Sequence, residues 1–146
     1  MAITCFDGEY AFLSNFYLAP VEFEGLMYTN SEAAFQSAKT MNIEDRKRFC
    51  NLNPGTAKRA GRHLSLRSDW ERSKDLIMEI IVKDKFIRNK DLQKLLLMTH
   101  NEELIEGNHW KDYYWGVCNG KGKNTLGKIL IKVRSELRDW ELINTI

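Results

Sequence analysis

The sequence has few cysteines and little net charge, and each shortage argues against a class of protein. Its three cysteines, Cys5, Cys50 and Cys118, form no C-x-x-C pair and have no histidine at metal-ligand spacing, so a zinc site is not expected. A thiol nucleophile is disfavoured because the sequence ties no activating histidine to any cysteine. The formal net charge of +2 is too small to indicate nucleic-acid binding by itself.

Long apolar runs are missing as well. No stretch approaches the roughly 20 residues of a membrane span, and the chain begins without a charged-then-apolar leader. Free thiols and the lack of an export signal favour a reducing, cytoplasmic protein that does not bind membranes. The glycine-rich stretch near residue 120 does not fit G-x-x-x-x-G-K-[ST], which disfavours a P-loop nucleotidase.

What is present is the composition of an ordinary globular domain. With 146 residues, 43% of them hydrophobic and 29% charged, the chain is long enough for one core and needs no second domain. Helical periodicity recurs along the chain, and one alternating stretch interrupted at Glu24-Gly25 predicts a hairpin. We therefore expect a mainly α fold, a compact multihelical single domain over residues 1–146 with a small N-terminal β-hairpin.

Polar residues mark where the predicted helices begin. Asn42 and Asn53-Pro54 are typical N-terminal caps, while Thr29-x-x-Glu32 and Ser68-x-x-Glu71 fit the capping box. The first box predicts a helix from Thr29 to Lys39, and the second opens the longest helix, to about Ile87. The segment from Asn101 to Glu106 is predicted to form a further helical turn. Buried stripes are expected in two helices, one at Leu76, Ile77, Ile80, Ile81 and Phe86, the other at Leu126, Ile129, Leu130, Val133 and Leu137.

The helix that begins near Thr29 carries polar groups at a suggestive spacing. Glu32, Gln36 and Lys39 sit at i, i+4 and i+7, which puts a carboxylate, an amide and an amine on one helical face. The spacing has two explanations, a capping box at a structural helix start or a functional strip, and by itself it favours the capping box. Other segments of the sequence are needed to choose between the two explanations.

Six segments, taken together in order and spacing, resemble the YbiA-like or NADAR family from about Phe6 to Arg138. The segments are Leu13-Ser14-Asn15-Phe16, Ser31-Glu32-Ala33-Ala34-Phe35-Gln36-Ser37-Ala38-Lys39, Gly61-Arg62, Leu66-Arg67-Ser68-Asp69-Trp70-Glu71, Tyr114-Trp115-Gly116 and Gly122-Lys123-Asn124-Thr125-Leu126-Gly127. The resemblance implies a compact, mainly helical domain that acts on N-glycosidic bonds of ribose. Substrates described for the family include early riboflavin-pathway intermediates and ADP-ribose attached to guanine bases of nucleic acid.

The resemblance also implies roles for residues. Cleavage of a ribose C1–N bond passes through an oxocarbenium-like state, which needs a carboxylate near C1. Glu32 matches the family's catalytic glutamate, Lys39 matches the motif lysine that donates to the ribose or forms a Schiff base, and Asp112 is expected as a second carboxylate. Neither a cofactor nor a metal is expected. The expected substrate-binding residues are Asn15, Phe16, Phe35, Gln36, Arg62, Arg67, Trp70, Lys74, Trp115, Gly116, Gly122, Lys123 and Asn124.

Within that set the residue types suggest a division of labour. Trp70 and Trp115 would stack on a base, and Arg62, Arg67, Lys74 and Lys123 would hold phosphate together with amides of the glycine-rich loop. The partner is then a ribosylated or ADP-ribosylated small molecule or nucleic-acid base, with DNA as one carrier. Two alternatives stay open: a module that binds ADP-ribose or NAD without cleaving it, and a nucleic-acid-associated protein that contacts phosphates nonspecifically.

Overall fold

The computed structural model describes residues 1–144, of which helices form the largest part. A 3-10 helix, Gly8–Leu13, follows the first strand. The strands and α-helices, in chain order, are β1 (Ala2–Ile3), β2 (Leu18–Phe23), β3 (Leu26–Asn30), α1 (Ser31–Ser37), α2 (Ile43–Lys47), α3 (Pro54–Gly61), α4 (Trp70–Arg88), α5 (Lys90–Leu97), β4 (Glu103–Leu104), β5 (Gly107–Asn108), β6 (Val117–Cys118) and α6 (Thr125–Asn144). The mainly α prediction is confirmed, with helix accounting for 51% of the chain.

The contacts divide the chain into two compact units. The first, named here the central unit, is the continuous segment Asn15–Asn89. The second, the terminal unit, combines residues 1–14 with residues from 90 onward.

The central unit is built around a hairpin and four helices. Strands β2 and β3 pair antiparallel, with Val21 opposite Tyr28, and the turn between them contains Gly25 at a φ of 89°, a conformation that favours glycine. The hairpin packs on α1 and α4, and α1 packs on α3. The predicted hairpin is confirmed.

The predicted helix starts are half right. Asn42 and Asn53 cap α2 and α3 as expected, accepting hydrogen bonds from the amides of Asp45 (2.9 Å) and Thr56 (2.8 Å). Both capping-box predictions are wrong, and by the same single position. The N-cap of α1 is Asn30, not Thr29, and that of α4 is Asp69, not Ser68.

The long helix α4 buries a different stripe from the predicted one. Ile77, Ile81 and Phe86 are buried as expected, but Leu76 and Ile80 are 61% and 46% exposed. Lys85, which the pattern did not select, is 1% exposed. The prediction fails because the sequence around residues 76–82 is apolar on more than one face, so periodicity alone does not identify the buried one.

The terminal unit contains two short parallel strand pairs and the last two helices. Strand β1 pairs with β4 and β5 with β6, while α5 and β4 pack on α6. The predicted stripe of α6 is confirmed, since Leu126, Ile129, Leu130, Val133 and Leu137 are all buried. The helical turn predicted from Asn101 to Glu106 is wrong, because β4 lies inside that segment.

Among residues 1–144, no helix combines the length and the apolar character that crossing a bilayer requires.

Candidate active site

The first turn of α1 holds a half-buried glutamate whose backbone and side chain each make a hydrogen bond. The backbone N–H of Glu32 donates to the carbonyl oxygen of Asn15 at 3.0 Å. The side-chain amide of Gln36, one turn later, donates from Nε2 to Oε2 of Glu32 at 2.6 Å. The i, i+4 spacing predicted this neighbourhood, and the structure brings the two side chains into direct contact.

The capping-box explanation for Glu32 does not hold. Asn30 supplies the cap, because its Oδ1 accepts from the amide of Ala33 at 2.8 Å, while its Nδ2 donates to the carbonyl of Leu52 at 2.9 Å. The Thr29 hydroxyl donates instead to that same carbonyl. The side chain of Glu32 turns forward along the helix to Gln36, so capping does not account for its position.

Lys39 lies in the turn that follows α1, not within the helix. Burial lowers the pKa of its amine, the neighbouring Glu32 charge raises it in part, and the positive charges of Arg62 and Lys58 lower it further. A lowered pKa increases the fraction of neutral amine, which is the form that acts as a nucleophile or base. The structure thus brings a carboxylate, an amide and a perturbed lysine together.

Helix α3 contributes the two other cations of this neighbourhood. Lys58 and Arg62 stand one turn apart at its C-terminal end, and the Lys58 amine lies 5.9 Å from the ring centroid of Phe16, which is 43% exposed. The prediction included Arg62 and Phe16 but omitted Lys58, although the i, i+4 spacing to Arg62 is visible in the sequence. It also omitted Gly61, whose backbone lies against Gln36.

Two aromatic residues of the predicted site are core residues by their burial. Phe35 and Trp70 are 4% and 6% exposed, and their ring centroids lie 5.1 Å apart at an angle of 52°. An indole this well covered offers little surface for stacking on a base. Asn15 is also buried, with its amide donating to the sulfur of Met78 at 3.3 Å.

Two of the predicted phosphate ligands are engaged by carboxylates. Arg67 donates to both oxygens of Asp69, at 2.6 and 3.0 Å, and this contact raises the pKa of the guanidinium. The amine of Lys74 lies 2.9 Å from Glu71. Arg67 has a second role, because its backbone N–H donates to the carbonyl oxygen of Lys39 at 2.7 Å and so fixes the turn that carries the amine.

In the terminal unit, Asp112 organises a loop. Its Oδ1 accepts hydrogen bonds from the amides of Tyr114 (3.1 Å) and Trp115 (2.9 Å), and the two rings pack edge to face at 4.9 Å. This is a sufficient structural explanation for the carboxylate in an aromatic cluster. Trp115 is half-buried.

The glycine-rich segment closes against the same loop. The backbone N–H of Asn124 donates to the carbonyl of Gly116 at 3.2 Å. In its side chain, Nδ2 donates to the Leu104 carbonyl and Oδ1 accepts from the backbone N–H of Glu106, both at 2.9 Å. Gly122, at a φ of 145°, has no room for a side chain over the Gly116 carbonyl. The amine of Lys123 lies over the Tyr114 ring at 5.1 Å. Asn124 therefore has a structural role that the sequence did not indicate.

In the part of the chain that the structure describes, no three or more histidine, cysteine, aspartate or glutamate side chains are grouped so that they could hold a metal ion.

Comparison with known proteins gives consistent relatives. Residues 5–138 match the family model described as the NADAR domain. The chain is 36% identical over 133 residues to N-glycosidase YbiA of Shigella flexneri serotype 5b, which covers 88% of this chain and 82% of that protein. It is 33% identical over 144 residues to a riboflavin biosynthesis protein of Vibrio vulnificus, covering 96% of this chain and 39% of that longer protein.

A solved structure is similar along almost the whole length. The NMR structure of the Escherichia coli protein YbiA superposes with a TM-score of 0.85 at 32% identity, covering 97% of this chain and 86% of that one. The match extends over both units of the fold.

Proposed function

Because this chain belongs to the NADAR domain family, we propose that it is an N-glycosidase and that Glu32 is its catalytic carboxylate. The observation that carries the proposal is the Glu32–Gln36 contact of 2.6 Å beside a lysine whose pKa is lowered. Relatives named N-glycosidase YbiA and N-glycosidase Npun_R5314, the latter from Nostoc punctiforme, support the reaction type.

The proposed chemistry follows from the bond that is broken. As the ribose C1–N bond lengthens, positive charge develops on the sugar, and a carboxylate beside C1 stabilises that charge or activates the attacking water. Glu32 suits this role because its carboxylate is oriented by the Gln36 amide, which limits the rearrangement needed during the reaction. The carboxylate chemistry needs no metal, so activity in the presence of a chelator is expected.

Lys39 gives the site a second chemical option. An amine with a lowered pKa donates a hydrogen bond to the ribose when protonated. When neutral it attacks C1, the base leaves with a proton, the sugar ring opens to give a Schiff base, and water then hydrolyses the Schiff base to free lysine and sugar. A Schiff base is trapped by borohydride as a stable secondary amine. Mass spectrometry of the peptide containing Lys39, after reduction during turnover, distinguishes this route from direct attack by water.

The substrate that we propose carries ribose with phosphate. Lys58 and Arg62 add positive charge beside Lys39, and Phe16 offers a partly exposed ring next to Lys58. This combination suits an anionic sugar attached to a flat base. ADP-ribosylated guanine and a phosphoribosyl riboflavin-pathway intermediate both have that form, and the relative named a riboflavin biosynthesis protein supports the second.

The test compares turnover on both kinds of substrate. Purified protein with chelator is incubated with ADP-ribosylated DNA and, separately, with pyrimidine ribosyl phosphates, and chromatography follows the released base or ADP-ribose. Glu32→Gln prepared in parallel controls for contaminating activity. Release from either substrate by the wild type alone supports the proposal. Tight binding measured by calorimetry, with intact ligand recovered from both, would instead favour the alternative of a binding module.

A further inference from the structure

Gly61, the last residue of α3, lies against the side chain of Gln36 on α1. A Cβ atom at position 61 would lie 2.7 Å from Cδ and 3.1 Å from Cβ of Gln36, and closer still to its Oε1. Ordinary carbon contacts need about 3.5 Å or more. The position therefore accepts glycine because the glutamine amide occupies the volume where any other side chain would begin.

The amide held there is the one that contacts Glu32. Gln36 is 6% exposed, its Nε2 donates to Glu32, and its Oε1 is buried with no hydrogen-bond partner among the described residues. A buried carbonyl without a partner is unfavourable, so hydrogen bonding alone does not explain this orientation. Packing against Gly61 on one side and the bond to Glu32 on the other fix the amide.

We infer that Gly61 is a positioning residue for Glu32, acting through Gln36; this inference rests on the proposed function. An added methyl group at position 61 meets the side chain of Gln36 rather than backbone, so the change acts first on that side chain. Because Gln36 is almost completely enclosed, its amide has to leave Glu32 in order to move. The expected cost is therefore in the orientation of the carboxylate, and thermal unfolding of the variant measures the accompanying cost to folding.

Gly55 provides a matched control in the same helix. A Cβ at that position would meet only side-chain atoms of Arg59 and Asn53, both at the ordinary distance of 3.7 Å. Gly55→Ala and Gly61→Ala thus make the same chemical change in α3, and only one of them reaches Gln36.

The kinetic test uses a double-mutant cycle. We expect Gly61→Ala to lower kcat by about 10- to 100-fold with KM changed less than about twofold, since misplacing a reacting group acts on the transition state. Gly55→Ala should stay within about twofold of the wild type. In a Gln36→Ala background, which removes the amide group and leaves only the 3.1 Å contact with the Cβ of residue 36, Gly61→Ala should cost less than about twofold more. Equal effects of Gly61→Ala in both backgrounds, or none in either, would overturn the inference.

A spectroscopic measurement separates this inference from the proposed function. The chain has only two glutamines, Gln36 and Gln93, so ¹⁵N-glutamine labelling gives two side-chain amide signals. We expect the Gln36 signal to move in Gly61→Ala toward its position in Glu32→Ala, with Gln93 unchanged. If the wild type cleaves and the Gln36 signal stays in place, the inference is wrong while the function stands. If the signal moves but no substrate is cleaved by any variant, the proposed function fails and the positioning contact is supported.

Discussion

Helices α1 and α4 begin with the same kind of sequence and end up with opposite surroundings. Thr29-Asn30-Ser31-Glu32 and Ser68-Asp69-Trp70-Glu71 both fit a capping box, and in both the cap is the second residue rather than the first. The acidic residue therefore has no capping role in either helix. The contacts that its side chain makes differ between the two.

Glu71 faces solvent, whereas Glu32 is half-buried. The side chain of Glu71 is 79% exposed and lies 2.9 Å from the amine of Lys74, an ordinary surface pair worth little to stability. The backbone N–H of half-buried Glu32 donates to the Asn15 carbonyl, and its carboxylate accepts a hydrogen bond from the side-chain amide of Gln36. Local sequence gives both helices an acid at the same position, and distant packing decides which acid is available for chemistry.

The strongest test of the contrast replaces both acids by their amides. Glu32→Gln should lower turnover by about 10³-fold or more, because the charge that stabilises the transition state is lost. Glu71→Gln should leave turnover within about twofold and melting unchanged. Steady-state kinetics and thermal unfolding of both variants check this. Full turnover in a correctly folded Glu32→Gln would remove the assignment of Glu32.

Two lysines, one after α1 and one in α4, also differ in their surroundings. Lys39, after α1, has Glu32 nearby, whereas Lys85 in α4 lies against the rings of Tyr17 (5.7 Å) and Phe86 (5.1 Å). Burial lowers the pKa of Lys85 to about 7, from an ordinary 10.5. Between about pH 7 and pH 10.5 the Lys85 amine is protonated in the unfolded chain and neutral in the folded chain, so the free energy of unfolding rises with pH. Below about pH 7 the amine is protonated in both states, and it no longer makes the free energy of unfolding depend on pH.

We therefore expect the wild type to gain about 2 kcal/mol of stability between pH 7 and pH 9 from Lys85. Lys85→Met, which keeps the length of the side chain but cannot titrate, should remove that gain. Lys83→Met, two residues earlier on the same helix, should preserve it. Urea unfolding of the three proteins at both pH values provides the measurement, and parallel curves for the wild type and Lys85→Met would contradict the prediction.

The two N-caps are expected to differ in what they contribute to stability. Asn30 is fully buried and its side chain bonds to Ala33, Thr29 and Leu52, so Asn30→Ala should destabilise the protein by about 2 kcal/mol. The Asp69 side chain makes no capping bond and instead holds Arg67 and Ser73 near the surface. Asp69→Ala should therefore lower the melting temperature less than Asn30→Ala at pH 7. Equal shifts would mean that the two helix starts are energetically alike.

How far the sequence predicts this molecule depends on how local each feature is. The caps at Asn42 and Asn53 and the stripe of α6 were predictable because they depend on spacing within a few residues. At α1 two adjacent residues, Thr29 and Asn30, are both good caps, and the side chains of both donate to the Leu52 carbonyl more than twenty residues away. Local pattern cannot resolve such a choice.

The site shows the same limit. The face shared by Glu32 and Gln36 follows from helical periodicity, and the resemblance drew attention to it. The contribution of Gly61 depends on contact between α1 and α3, and the burial of Trp70 depends on Phe35. Neither the contact of Gly61 nor the burial of Trp70 can be predicted from neighbouring residues. A glycine at a helix end and a tryptophan at a helix start each fit several environments equally well.

The division of the chain into a continuous and a discontinuous unit has a consequence for the order of events during synthesis. The unit containing Glu32, Lys39 and Gly61 is complete once residue 89 has been made, whereas β1 has no strand partner until residue 104 is available. Chains on the ribosome fold as their segments emerge, N-terminal parts first. We therefore expect the proposed catalytic groups to assemble before β1 pairs with β4.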